Sequence, residues 1–475
     1  MLFSSAIFLF AFLPITFLVY YMINPKFRNI WLFLVSVFFY AWGEPRFVLI
    51  MLFSIIMNYG LGLLADNYRG TDYGRVVIIT TVILNLVLFF CFKYLNFTIQ
   101  NLNSLLKITL PQTHILLPIG ISFFTFQAMS YVFDVYKGNG NVQKNPFYVG
   151  LYITFFPQLI AGPIVRYETV SREINCRKEN FNDISTGIER FIIGLGKKVI
   201  ISNQWAILAD YAFNMNQTGN LHSASLAWIG AIAYAFQILF DFSGYSDMAI
   251  GLGKMFGFHF LENFNYPYFS ESVSEFWRRW HISLGSWFRD YIYIPLGGSR
   301  VKQSRLICNL FIVWLLTGVW HGANWTFILW GLWYFILLAF EKLTGYPKRF
   351  KNIFFIGLYR IWTLFCILIG WVLFRSSNVT QAFNYIKCMF SFRSDLSAAY
   401  VGYLFKDNFI LLIISIVLSV PILKWLSEQI RKHKTVYQPY FNIIYSLFLV
   451  LIFVIAISFV AVSYTHLTLP TTPYV

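Results

Sequence analysis

Long apolar runs separated by short polar or basic stretches dominate the chain. A helix needs about 20 apolar residues, range roughly 17–25, to cross a bilayer. Runs of that kind occupy Phe3–Met22, Arg46–Leu64, Val76–Phe92, Ala227–Phe240 with its flanks, Ile353–Phe374, Phe409–Leu426 and Phe441–Val462. Shorter ones, Trp31–Trp42, Ile115–Val132 and Phe147–Ile160, are bounded or broken by Gly43-Glu-Pro45, Pro118 and Pro157. Broken segments at membrane depth are tolerated only where protein or a wet cavity covers them. The pattern therefore predicts an all-α polytopic membrane protein. About 9–12 transmembrane helices should ring a funnel lined by re-entrant half-helices. One stretch differs: over Asn180–Phe213, Ile188, Phe191, Ile192, Leu195, Val199 and Ile200 form a single stripe among charged residues. That spacing predicts a helix lying in the membrane interface or on the surface.

Composition agrees. Of 475 residues, 58% are hydrophobic and 12% charged, against about 25% charged in a soluble domain. The net charge of +16 does not indicate a nucleic-acid binder, because no basic stripe lies on a polar face. The basic residues sit in short loops between apolar runs, as the positive-inside rule expects. The five cysteines, Cys91, Cys176, Cys308, Cys366 and Cys388, match neither CxxC nor zinc spacing and read as small core residues. Phe3–Met22 has no basic segment before it and no small-residue cleavage site, so it is expected to stay as a first spanning helix.

Charge also orients the second half. Arg300, Lys302 and Arg305 precede the run Leu306–Trp320, and Lys342, Lys348, Arg349 and Lys351 follow Trp325–Phe340. Both outer ends are expected in the cytoplasm. One helix over both runs would be about 50 Å long, too long for a single crossing. A helical hairpin with its apex at Trp320–Asn324 satisfies both demands. His321 then lies deep in the membrane or toward its outer side. The cluster Lys424, Arg431, Lys432 and Lys434 returns to the cytoplasm after two more crossings.

An ionisable residue inside such a hairpin points to function. A buried imidazole loses its charged form and can accept a proton near neutral pH, which suits a general base. A histidine closing the turn through a carbonyl is the structural alternative. A second cluster, Glu275-Phe-Trp277-Arg278-Arg279-Trp-His281, continues to Arg289 and Asp290. Trp277, His281 and Leu284 share a helical face at i, i+4, i+7. Arg278, Arg279 and Arg289 could bind phosphates of a donor or lipid headgroups. A third, Phe240-Asp241-Phe-Ser243-Gly-Tyr245-Ser246-Asp247, could wall a polar cavity or form structural hydrogen bonds. No metal is expected, since neither histidine has partners at ligand spacing.

These residues carry a resemblance. Trp320-His321-Gly-Ala-Asn324-Trp325-Thr-Phe-Ile-Leu-Trp330-Gly331 resembles the signature of the membrane-bound O-acyltransferase (MBOAT) family. Glu275–His281 with Tyr291–Gly298, Phe155–Arg166 and Gly120–Gln127 are similar to further family blocks. The Pro157-Gln-Leu-Ile-Ala-Gly-Pro163 form is closer to the alginate O-acetyltransferase branch than to the branch transferring D-alanine to teichoic acid. The resemblance implies a tunnel within the ring, with His321 at its centre and His281 as the second catalytic position. Trp277, Arg278, Arg279, Asp241, Asp247, Trp320 and Asn324 become candidates for binding donor or substrate. It implies no bound cofactor, acetyl-CoA or another acyl donor as substrate, and a polysaccharide acceptor beyond the bacterial inner membrane. A separate SGNH-type extracytoplasmic acetyltransferase is the implied partner. D-alanyl or other acyl transfer to teichoic acid or peptidoglycan is the alternative within the class. A secondary transporter or flippase is the alternative outside it, although no internal repeat supports one. The resemblance covers one domain, 1–462. The Thr/Pro-rich tail 463–475 departs from it, resembles translated adapter sequence, and is expected to stand outside the functional protein.

Overall fold

The computed structural model describes residues 1–160, 162–347, 349–350, 352–391, 398–432 and 438–468. All regular structure among them is helical. Among the described residues, eight helices are long and apolar enough to cross a membrane: Val48–Asn67, Asp72–Lys93, Phe181–Gln217, Ala224–Met255, Gln303–His321, Trp325–Thr344, Ile353–Arg375 and Asn442–Ala461. Phe8–Met22 and Phe409–Ser419 are shorter apolar helices.

Proline and glycine break the remaining runs where the sequence suggests. Ile121–Lys137 starts after Gly120, which takes a left-handed conformation at φ 79°. A Cβ there would also meet the Leu159 carbonyl oxygen at 2.8 Å, so both the turn and the close approach call for glycine. Pro146–Thr154 and Phe156–Leu159 are two short helices joined at Phe155, just before Pro157. The expected single crossing at Phe409–Leu426 is not observed. The helix Phe409–Ser419 ends at an extended Val420, and Ile422–Lys432 follows Pro421. Proline removes a backbone donor and disfavours the helical conformation of the residue before it.

The stripe at Asn180–Phe213 also has a different outcome. Helical structure runs from Phe181 to Gln217, with a π-helical stretch at Lys197–Ser202, and is long enough to cross. Two of its charges are neutralised: Arg190 meets Asp247 at 2.9 Å, and Lys198 meets Asp241 at 2.6 Å. Ala224–Met255 approaches the same helix closely. A Cβ on Gly251 would stand 2.5 Å from the Gly187 carbonyl oxygen, and one on Gly244 would stand 2.7 Å from that of Gly194. Small residues let apolar helices pack backbone to backbone in this way.

The chain divides into two compact units, one built mainly from Met1–Ile192 and Tyr245–Leu261, the other from Ile193–Gly244 and Glu262–Phe459. Within the first, Asn58 and Asn85 exchange amide hydrogen bonds of 3.1 and 2.9 Å between two lipid-length helices. Both side chains are fully buried, and such a pair satisfies polar groups that lipid cannot. The second unit has an aromatic core that includes Trp205, Phe213, Tyr234, Trp280, Trp330 and Trp371. The helix Gln438–Thr468 continues past Val462 into the tail, and residues 469–475 lie outside those described.

Candidate active site

The hairpin predicted around His321 is present. Gln303–His321 ends at the histidine, Gly322 is extended, and Trp325–Thr344 returns. A Cβ on Gly331 would lie 2.4 Å from the Trp314 carbonyl oxygen, and one on Gly318 would lie 2.5 Å from that of Phe327. The two arms therefore touch along their backbones near the apex. Asn324 caps the returning helix by accepting from the Thr326 amide at 3.1 Å, and its Nδ2 donates to the Ser377 carbonyl at 2.7 Å. Both ends of this amide, a candidate for donor binding, are engaged in structure. Trp325 is exposed, whereas Trp320 is buried.

His321 is half-buried among aromatic rings. Ring centroids lie at 4.8 Å for Trp330, 4.9 Å for Trp320 and 5.2 Å for Phe374. Behind Trp330 stand Tyr334, Trp277 and Trp314, with Trp277 at 4.8 Å from both Tyr334 and Trp314. The Trp277 and Trp330 indole nitrogens and the Tyr334 hydroxyl are buried with no hydrogen-bond partner among the described residues. Each such group costs about 1–3 kcal/mol if left unpaired.

The second cluster does not form one helix. Val273–Arg279 and Ile282–Phe288 are separate, and between them His281 takes a left-handed conformation, φ 45° and ψ 53°. Trp277, His281 and Leu284 therefore do not share a face. Glu341 fixes the first short helix: its two carboxylate oxygens accept from the Val273 and Ser274 amides, each at 2.8 Å. A buried carboxylate there complements the helix N-terminus. Ser272 accepts from the Glu275 amide at 3.1 Å, a normal N-cap. Burial opposes ionisation of Glu275, but the Glu271 amide and Arg279 together hold its carboxyl below the usual value.

His281 is 2% exposed. Its ring lies 4.6 Å from Phe242 and 6.2 Å from Trp320. Asn263 Oδ1 sits 3.2 Å from Nδ1, and Nε2 has no hydrogen-bond partner among the described residues. Burial pushes the imidazole down to about 3, so it is neutral at physiological pH. The structure thus brings His281, Trp320, His321, Trp330 and Trp277 into one aromatic assembly.

Other expected binding residues go elsewhere. Arg279 pairs with Glu275 at 2.6 Å and Arg289 with Asp290 at 2.6 Å. Arg278 is exposed, with no ion pair among the described residues. Asp241 and Asp247, candidates for the donor site, make the ion pairs with Lys198 and Arg190 described above. Sequence reasoning missed Asn263, Glu341, Tyr334 and Phe374. Glu341 alone carried a readable signal, as a carboxylate near the end of an apolar crossing.

Comparison with known proteins adds to this geometry. The sequence profile of the membrane-bound O-acyltransferase family matches residues 34–380. The chain is 43% identical over 402 residues to the Pseudomonas aeruginosa protein named "Probable alginate O-acetylase AlgI", covering 82% of this chain and 75% of that protein. It is 38% identical over 423 residues to the peptidoglycan O-acetyltransferase of Helicobacter pylori, covering 82% and 80% respectively. The teichoic acid D-alanyltransferase of Bacillus subtilis is 32% identical over 248 residues, covering 49% of this chain and 61% of that one.

Proposed function

From its membership of the membrane-bound O-acyltransferase family, we propose that this multi-pass enzyme moves acetyl from cytoplasmic acetyl-CoA across the bacterial inner membrane to a secreted or cell-envelope polysaccharide. In the reaction, an acceptor hydroxyl oxygen attacks the thioester carbonyl while His321 takes the hydroxyl proton. A C–O bond forms, the C–S bond breaks, and the leaving thiolate recovers the proton from the imidazolium. His281 orients the donor and shares the proton through its unpartnered Nε2. A separate SGNH-type acetyltransferase on the outer face completes delivery to the polymer.

The observation that supports this reading best is the pair of imidazoles in contact with one buried indole. A transporter or flippase has no need of such an arrangement. A second acceptor, peptidoglycan, is favoured by the extent of similarity to the Helicobacter pylori enzyme.

The test is transfer of labelled acetyl from acetyl-CoA in membrane vesicles that contain the acceptor polymer. His321→Ala should lower the rate by at least about 100-fold, the low end of general acid–base catalysis, with normal protein in the membrane. An unchanged rate removes His321 from the chemistry.

A further inference from the structure

Asn263 lies in the irregular stretch between Met255 and Pro267 and is 1% exposed. Three groups converge on its Oδ1: the Ser283 amide at 3.1 Å, the Ser283 hydroxyl at 2.9 Å and His281 Nδ1 at 3.2 Å. Its backbone is tied to the same place, because its carbonyl accepts from the Ile282 amide at 3.0 Å. A backbone amide can only donate, so the atom facing Ser283 must be the side-chain oxygen and not the nitrogen. The usual ambiguity of an asparagine amide is thereby removed. The Ser283 hydroxyl lies 3.4 Å from Nδ1 but gives its proton to Oδ1 at 2.9 Å, and Oδ1 has none to offer, so Nδ1 carries the proton and donates it. Nε2 is left with its lone pair, buried and without a partner among the described residues.

We infer that Asn263 is a positioning residue for acyl transfer: it locks His281 in the Nδ1-protonated tautomer and presents Nε2 as the proton acceptor. This rests on the reading that His281 takes part in the reaction. The same contacts hold residue 281 in its left-handed conformation, which is uncommon for a residue other than glycine. The surroundings of the ring leave Asn263 in control. Phe242 faces it from the Ala224–Met255 helix, and the preceding Asp241 is paired to Lys198. Trp320 faces it from the Gln303–His321 helix, with His321 next in sequence. Asn263 and Ser283 are the polar groups that face the ring among the described residues, and burial keeps the imidazole neutral.

The test is the pH profile of acetyl transfer in membrane vesicles for the wild type, Asn263→Asp, Asn263→Ala and His281→Asn, beside an immunoblot of membrane protein. Asn263→Asp is isosteric and keeps the acceptor, but its carboxylate favours the imidazolium. It should keep the rate at alkaline pH and move the acidic limb upward by at least about one pH unit. Asn263→Ala should lower kcat at least about tenfold with KM for acetyl-CoA within about twofold. Wild-type profiles in both Asn263 variants overturn the inference, as does loss of the protein from the membrane in both, which marks a purely structural residue. His281→Asn keeps a residue that tolerates the left-handed conformation. Full activity in that variant defeats the role of His281 itself. Inactivity there, combined with unaltered Asn263 variants, defeats only the inference about Asn263.

Discussion

His281 and His321 share one neighbour, the buried indole of Trp320, whose ring lies 6.2 Å from the first imidazole and 4.9 Å from the second. The three groups come from a break between two short helices and from the end of a long one. Their arrangement depends on tertiary packing, since no local regularity joins them.

Groups that act as a unit give non-additive losses. The double variant His281→Asn/His321→Ala should therefore be no slower than His321→Ala alone in the vesicle assay. A further loss equal to that of His281→Asn would show two independent contributions. Trp320→Ala should also lose activity and about 3–5 kcal/mol of stability, because it empties a buried site. Trp320→Phe should recover most of both.

Asp241 and Asp247 are assigned to holding helices together. Asp241→Asn and Asp247→Asn should reduce the amount of protein in the membrane, or its thermal stability in detergent, by breaking an ion pair between the two helices, and the more buried Arg190–Asp247 pair should cost more. The KM for acetyl-CoA of the protein that remains should be unchanged. A several-fold rise in KM at normal stability would return these carboxylates to the donor site.

Glu341 accepts two backbone amides and the Tyr359 hydroxyl, the last at 3.2 Å. Glu341→Ala leaves these donors buried and unpaired, at about 1–3 kcal/mol each. The melting temperature in detergent should fall, and activity should fall with it, since the short helix carrying Trp277 loses its anchor. Glu341→Gln keeps one acceptor and should be intermediate. Equal melting temperatures for Glu341→Ala and the wild type would contradict this.

The orientation of the hairpin is open to direct measurement. Reporter fusions after Arg305 and after Lys342 should both read cytoplasmic, as the basic flanks require. An extracytoplasmic signal after Arg305 would invert the hairpin and place the His321 end on the wrong side for export.

The hairpin was legible because two independent constraints, basic outer ends and excess length, agreed on one apex. The family blocks were legible for the same reason, since long motifs recur in order. The break at His281 was not. Its apolar positions continue a helical period across residues 277–284, and the left-handed turn is imposed by Asn263, 18 residues earlier in the chain. The break at Pro421 was visible, but hydropathy read alone runs straight through it. The partners of Asp241 and Asp247 were not legible, because a sequence does not show which lysine or arginine a carboxylate will face. Periodicity reports faces of one helix; partners between helices need the fold.

The glycine contacts between Phe181–Gly196 and Ala224–Met255 decide what can lie between those two helices. At Gly187 with Gly251, and again at Gly194 with Gly244, one backbone rests directly on the other, without room for even a methyl group. A seam this tight admits no acyl chain, detergent or lipid tail sideways. A hydrophobic inhibitor could enter between these two helices at either level only by displacing backbone, so this pair makes a poor target for one that arrives from the lipid.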